Sequence, residues 1–167
     1  MYSKHCGGFS LIELVVVIVM TGVLSAVAVI SINAKAQHSA TVQADQFRRD
    51  LSHLQLLAIS QANRLKLTVA STGYSVCLAA TVTCNLANAI ANPATGAAFS
   101  VLLTDGVGFT GGTGDYYFDS LGRPVAGATG VALVADPILF SVNGVGRTTA
   151  VDITVLPITG FAQTDYN

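Results

Sequence analysis

Between Phe9 and Ile32 the chain carries one formally charged side chain, Glu13, in a run otherwise built of Leu, Ile, Val, Ala, Met and small residues. The surroundings dictate what that carboxylate can do. An acid in an apolar helix costs about 2.5–3.5 kcal/mol at mid-bilayer and less near an interface, so it calls for a cation. An ammonium and a carboxylate paired in an apolar layer relieve each other's desolvation, and either one alone is penalised. The other reactive residue types are scattered. A nucleophile needs a base beside it, and the histidines are His5, His38 and His53. The last two fall about 22 Å apart on one expected helix, too far to share a metal. No H-E-x-x-H, G-x-S-x-G or P-loop pattern is present. These residues therefore predict no enzyme, with no catalytic residue, no cofactor and no metal centre. Asp115 with Asp119 is the only nearby pair among the six acids after Asp50, and the one place where calcium would meet two carboxylates.

Two further motifs bear on chemistry. Gly106-Val107-Gly108-Phe109-Thr110-Gly111 fits G-x-G-x-x-G, but a dinucleotide fingerprint needs a helix opening at that point. Gly112-Thr113-Gly114-Asp115 follows instead, then Tyr116-Tyr117-Phe118, so a mobile glycine-rich loop is expected. Cys77 and Cys84 have no second cysteine pair and no histidine near them, which disfavours a metal site. A small-loop disulfide in an oxidising compartment is the preferred reading, and free buried thiols are the alternative. Nucleic acid is excluded as a partner. The formal net charge is −1, and the densest cationic spot, Arg48-Arg49, is answered by Asp45 and Asp50.

The elements that position these residues follow from periodicity. The run from Phe9 to Ile32 exceeds the 18 or so apolar residues that a membrane helix requires, so membrane lipid is its expected surrounding. From Ser31 to Asn63 there is no proline or glycine, and Phe47, Leu51, Leu54 and Ala58 recur at helical spacing. Gln46, Arg49, Asp50, His53 and Gln61 fall off that face, with Asp45 and Arg49 as a favourable pair four apart. One helix from Phe9 to about Asn63 would be roughly 80 Å long, with Gly22 as its weak point.

After Leu65 the period switches to two. Strands are expected at Leu65–Val69 and Tyr74–Leu78 around a Ser71-Thr72-Gly73 turn, then at Phe99–Leu103, Tyr116–Asp119, Val131–Val134, Ile138–Val142 and Ala150–Val155. Asn143-Gly144 reads as a hairpin turn, and Ala79 to Gly96 as a loop. The predicted class is α+β, a long N-terminal helix packed on a C-terminal antiparallel β-sheet domain.

Gly8-Phe9-Ser10-Leu11-Ile12-Glu13-Leu14 resembles the leader junction of type IV prepilins and type II secretion pseudopilins. The resemblance implies that prepilin peptidase cuts between Gly8 and Phe9, that the Phe9 amine is methylated, and that Glu13 pairs with such an amine during assembly. It further implies segments 1–8 (leader, carrying Cys6 away), 9–33 (transmembrane and assembly helix), 34–64 (its amphipathic continuation) and 65–167 (a periplasmic or extracellular β domain). The implied partners are other pilin or pseudopilin subunits and an inner-membrane assembly platform. The implied location is the bacterial inner membrane, single-pass, and then a pilus or pseudopilus.

Tyr117-Phe118-Asp119-Ser120-Leu121-Gly122-Arg123-Pro124 is similar to the β domain of GspH/FimT-type minor pilins and pseudopilins. With the Cys77/Cys84 pair it leans towards the minor pilin of mannose-sensitive haemagglutinin (MSHA) pili. Where many relatives have Gly-Arg near the C-terminus, this chain has Gly160-Phe161.

Two alternatives stand beside this reading. A secretory signal peptide would use Lys4 and His5 as its basic end and be cut after Ala28, but its apolar region would be interrupted by Glu13 and longer than usual. A secreted or uncut, anchored β-domain binding module or adhesin would use Tyr116, Tyr117 and the glycine-rich loop. The mature chain would begin at Phe9, Val29 or Met1 in the three cases.

Overall fold

The computed structural model describes residues 10–130, 132–144 and 149–166, and for residues 26–37 the backbone alone. The chain divides into two compact units, Met1–Lys35 and Ala36–Asn167, and the helix α1 (Leu11–Ser60) contributes to both. The fold is α+β, a helix followed by antiparallel sheets.

In the second unit α1 is amphipathic, because Ala40, Ala44, Phe47, Leu51, Leu54 and Ala58 recur every three or four residues and, with Leu57 beside them, all are buried. They cover two sheets. The first, ordered β3-β2-β1-β5-β6, consists of β1 (Leu65–Ala70), β2 (Gly73–Leu78), β3 (Ser100–Leu102), β5 (Gly114–Phe118) and β6 (Pro124–Val125). The second, ordered β4-β7-β8-β9, consists of β4 (Val107–Gly111), β7 (Ile138–Gly144), β8 (Val151–Val155) and β9 (Ala162–Tyr166). Every pairing is antiparallel.

Alternation sends one side of each strand inward, as in Leu65, Leu67 and Val69 of β1 and Ile138, Phe140 and Val142 of β7. The Phe47 ring joins the three layers. It meets Tyr74 of the first sheet edge-on at 4.7 Å, and Phe109 and Phe140 of the second at 4.9 and 5.0 Å between centroids.

Polar side chains on the flanks of α1 fasten the sheets and loops to it. Gln43 accepts from Thr104 N at 2.8 Å and donates to Thr104 O at 3.2 Å, and Ser39 Oγ donates to Asp105 at 3.1 Å. Tyr166 donates to Asp45 at 3.0 Å, and Gln55 donates to Gly160 O. Tyr74 OH donates to the buried Asp50 at 2.6 Å. Burial first, and the Asp50 charge second, push the Tyr74 phenol far up, so it stays a neutral donor.

Several expectations are corrected by these long-range pairings. There are two sheets where one was expected. Gly106–Gly111 is not a mobile loop but contains β4, because Val107 and Gly108 pair with Gly144 and Asn143. The same pairing turns Asn143-Gly144 from a hairpin turn into the end of β7. Of the strand expected at Val131–Val134, Val131 lies outside the described residues, and residues 132–134 form no strand, with Leu133 making an isolated bridge to Val125. That segment follows a loop held by Arg64, whose guanidinium donates to Ala128 O and Gly130 O. Asp50, expected off the apolar face, is buried, and Asp45 pairs with Arg48 at 3.8 Å instead of Arg49. The helix runs unbroken through Gly22.

Helix α1 ends by a Schellman motif. Asn63 N donates to Ala58 O at 3.2 Å and Ala62 N to Ile59 O at 3.3 Å, with Ala62 in the left-handed region at φ 50°. Alanine is strained there by its Cβ, whereas glycine is not. Ala62→Gly should therefore stabilise the domain by about 0.5–1 kcal/mol, a rise of about 2–4 °C in melting temperature. A lower melting temperature would refute this account of the helix end.

The turn after β5 is built on Asp119. Its Oδ1 accepts from Leu121 N and Arg123 N, both at 2.9 Å, and its Oδ2 accepts from the Arg123 guanidinium at 2.9 and 2.7 Å. Gly122, at φ 75°, sits where an added Cβ would lie 3.2 Å from Gln55 of α1. Burial alone would push the Asp119 carboxyl up, but the Arg123 and backbone N–H bonds outweigh it and hold the group below its usual range. A depressed folded pKa gives stability that is present above the unfolded value, about 3.9, and is lost as pH falls through the folded one. Asp119→Asn should cost about 1.5–3 kcal/mol at pH 7. Melting curves across pH should show the gap to wild type closing below about pH 4, and a gap that persists at low pH would contradict the assignment.

Candidate functional site

The first unit presents an apolar helix surface with one acid in it. Ser10 O accepts from Glu13 N at 3.0 Å and Leu14 N at 3.2 Å, opening the helix, and Glu13 falls in the first turn. There the amide dipoles favour a negative charge, which lowers the cost of carrying the carboxylate. Eleven large apolar side chains from Leu11 to Leu24 are exposed, from Val15 and Val16 at 45 % to Leu11 at 81 %. They point in all directions around the axis, the pattern of a helix meant to be surrounded.

The polar side chains of this stretch divide into two kinds. Thr21 Oγ1 lies 2.9 Å from Val17 O and Ser25 Oγ lies 2.8 Å from Thr21 O, so these hydroxyls are satisfied by the helix's own backbone. Glu13 is different. Among the described residues its carboxylate has no hydrogen-bond or ion-pair partner, and Leu14, Val17 and Ile18 line the shallow surface around it. The energies rank clearly. Covering each large apolar side chain is worth about 1.5–3 kcal/mol, so enclosing eleven of them outweighs the one acid several-fold. Among the described residues no helix is long and apolar enough to cross a membrane. The described side chains of this stretch, Ser10 to Ser25, span about 24 Å at 1.5 Å per residue, against a hydrocarbon core of about 30 Å. Gly8 and Phe9, the expected cleavage and methylation residues, lie outside the described residues, as does Cys6.

The remaining candidates sit in the second unit, apart from one another. Asp115 and Asp119 are separated by about 13 Å of extended chain and are engaged differently: Asp115 bonds Thr68 Oγ1 at 2.5 Å and faces Lys66 Nζ at 3.5 Å, while Asp119 is spent on its own turn. That arrangement does not gather them around a calcium ion. Among the described residues no group of three or more His, Cys, Asp or Glu is placed to hold a metal. His38 is exposed, whereas His53 is half-buried, with Nδ1 3.7 Å from Asp50 Oδ1. Of the two tyrosines of the binding-module alternative, Tyr116 is half-buried with its ring 4.9 Å from that of Phe140, and Tyr117 is half-buried as well.

Cys77 and Cys84 are joined by a disulfide. Sequence reasoning missed Lys66, which alternation puts on the outer face of β1 and which is nevertheless buried, because the loop carrying Val82 covers it. The sequence signal available for it was the Cys77/Cys84 pair, which folds that loop back.

Residues 3–29 match the family model of the prokaryotic N-terminal methylation motif. The match contains Gly8, Phe9 and Glu13 and covers the N-terminal segment alone. No curated protein and no solved structure matches the chain. The motif supports a type IV pilin-like protein.

Proposed function

We propose that this protein is a minor type IV pilin or pseudopilin of the GspH/FimT kind, with a resemblance to an MSHA minor pilin. Prepilin peptidase cuts between Gly8 and Phe9, and the new Phe9 amine is methylated. The apolar helix from Phe9 holds the chain in the inner membrane with residues 65–167 outside the cytoplasm. Assembly then moves the same helix from lipid into a bundle of subunit helices, where its apolar surface stays covered.

The observation that carries this reading is the methylation motif over residues 3–29, on a helix whose apolar side chains are exposed on all sides around a single acid. Glu13 gives the transfer its specificity. In lipid the acid is penalised, whereas beside the amine of Phe9, in its own or a neighbouring subunit, both charges are compensated. The Cys77–Cys84 disulfide suits a domain on the oxidising side of the membrane. The role is structural, with no reaction assigned.

Edman sequencing or mass spectrometry of the membrane-extracted protein should return a methylated Phe9 as residue one, and a chain beginning at Met1 or Val29 would overturn the reading. Glu13→Val should leave cleavage and membrane insertion intact and reduce incorporation into sheared filaments by about tenfold or more, the equivalent of losing about 1.4 kcal/mol. Incorporation at the wild-type level would remove Glu13 from assembly.

A further inference from the structure

Lys66 is 2 % exposed, the most deeply buried charged side chain among the described residues. Its Nζ donates to Val82 O at 3.0 Å and faces Asp115 Oδ2 at 3.5 Å. Val82 belongs to the loop that the Cys77–Cys84 disulfide closes, and Cys77 stands directly opposite Lys66 in the β1–β2 register. Cross-strand partners project on the same face of a sheet, so the disulfide anchors the loop beside the ammonium that the loop covers. Thr81 N bonds Leu78 O, the last residue of β2, at 2.9 Å, and Asn88, beyond the loop, donates to Thr83 O. Among the described residues, the disulfide, the Lys66 ammonium and the Thr81 N bond to Leu78 O at the end of β2 tie residues 81–84 to the sheet itself.

The two sulfurs differ in access. Cys77 is fully buried, whereas Cys84 is half-buried and borders a shallow surface cavity lined by Thr68, Ser75, Ser100 and Leu102. An attacking thiolate therefore reaches Cys84 Sγ.

We propose that the Cys77–Cys84 disulfide is a redox latch over a masked amine: closed, it hides Lys66, and opened by a dithiol reductant it delivers that amine to the outer face of the first sheet. One thiolate of the reductant bonds to Cys84 Sγ, the S–S bond breaks, and Cys77 leaves as a thiolate that takes up a proton. The second thiol of the reductant then displaces Cys84, forming the reductant's own disulfide and leaving two cysteine thiols, a two-electron, two-proton exchange. With residues 81–84 released, Lys66 loses the Val82 carbonyl, and a buried ammonium short of a partner moves towards water. It emerges beside Asp115 and next to Thr68, Ser75 and Ser100, which the register sets in one row across β5, β1, β2 and β3. This inference rests on the β domain alone and stands apart from the assembly reading.

The test is amine acetylation of the full chain in detergent, with Lys66 followed by peptide mass and the urea-denatured chain as the reference for full reactivity. Lys66 should acetylate slowly in the oxidised protein and about tenfold or more faster after dithiothreitol, and likewise in the Cys77→Ser/Cys84→Ser variant. Over the same interval the amides of Phe140, Val142 and Ile153 in the second sheet should stay protected from hydrogen exchange. Equal acetylation in the oxidised and reduced states would overturn the proposal. So would loss of protection in β7 and β8 along with that of Lys66, because the disulfide would then hold the whole domain rather than one loop.

Discussion

One aromatic ring sets the terms for the second unit. Two sheets each have an apolar face to cover, and a single helix has one stripe to cover them with. Phe47 resolves this by reaching both, with edge contacts to Tyr74 in the first sheet and to Phe109 and Phe140 in the second. Such pairs add about 0.5–1.5 kcal/mol each beyond the area they bury, and their edge-to-face preference constrains angle as well as distance. Leu51, Leu54 and Ala58 continue the stripe and are all at most 2 % exposed. The core is thus one cluster spanning helix and both sheets.

A stripe of apolar side chains tolerates some rotation about the helix axis, because hydrophobic burial has no direction. The polar flanks remove that freedom. Gln43, Asp45, Asp50 and Gln55 bond respectively to Thr104, Tyr166, Tyr74 and Gly160, four partners on four different segments. Turning α1 by one residue would break these together and deprive Asp50, a carboxylate in the interior, of the hydrogen bond that Tyr74 donates to it. The Asp119 turn obeys the same rule, since its buried carboxylate exists to be filled by Arg123 and two backbone N–H groups.

What was legible in the sequence was what repeats locally. The Phe47, Leu51, Leu54, Ala58 spacing gave the buried face of α1, and alternation around Ser71-Thr72 gave the β1–β2 hairpin, where Ala70 pairs with Gly73. The Glu13 site was legible for a different reason: a lone charge in an apolar run stands out against its neighbours without any tertiary information. What stayed hidden depends on partners far along the chain. β4 looked like a loop because of its glycines, yet an added Cβ at Gly108 would fall 2.8 Å from Ser71 O, so glycine there is what admits the β1–β2 turn. Asn143-Gly144 carries strong turn chemistry that pairing with β4 overrides. β9 was unseen because Ala162 is its one buried residue and Thr164 stands where a second inward apolar side chain would mark a strand, and the division into two sheets follows from strand order, which no local pattern encodes.

The two portions of α1 answer different physical demands. From Ala40 onward each buried side chain has its cover within the chain, and polar groups fix the setting. From Leu11 to Leu24 the described side chains lack both, so the surface favours enclosure without specifying by what. Lipid tails and the apolar flanks of neighbouring helices are nearly equivalent to it, and neither defines a position along the axis. A carboxylate does, because an ion pair in an apolar layer weakens within a few ångströms and leaves both charges penalised when it is out of register. Affinity for an apolar environment and specificity of position are thereby carried by different atoms of one helix, the first by many side chains acting together and the second by Glu13.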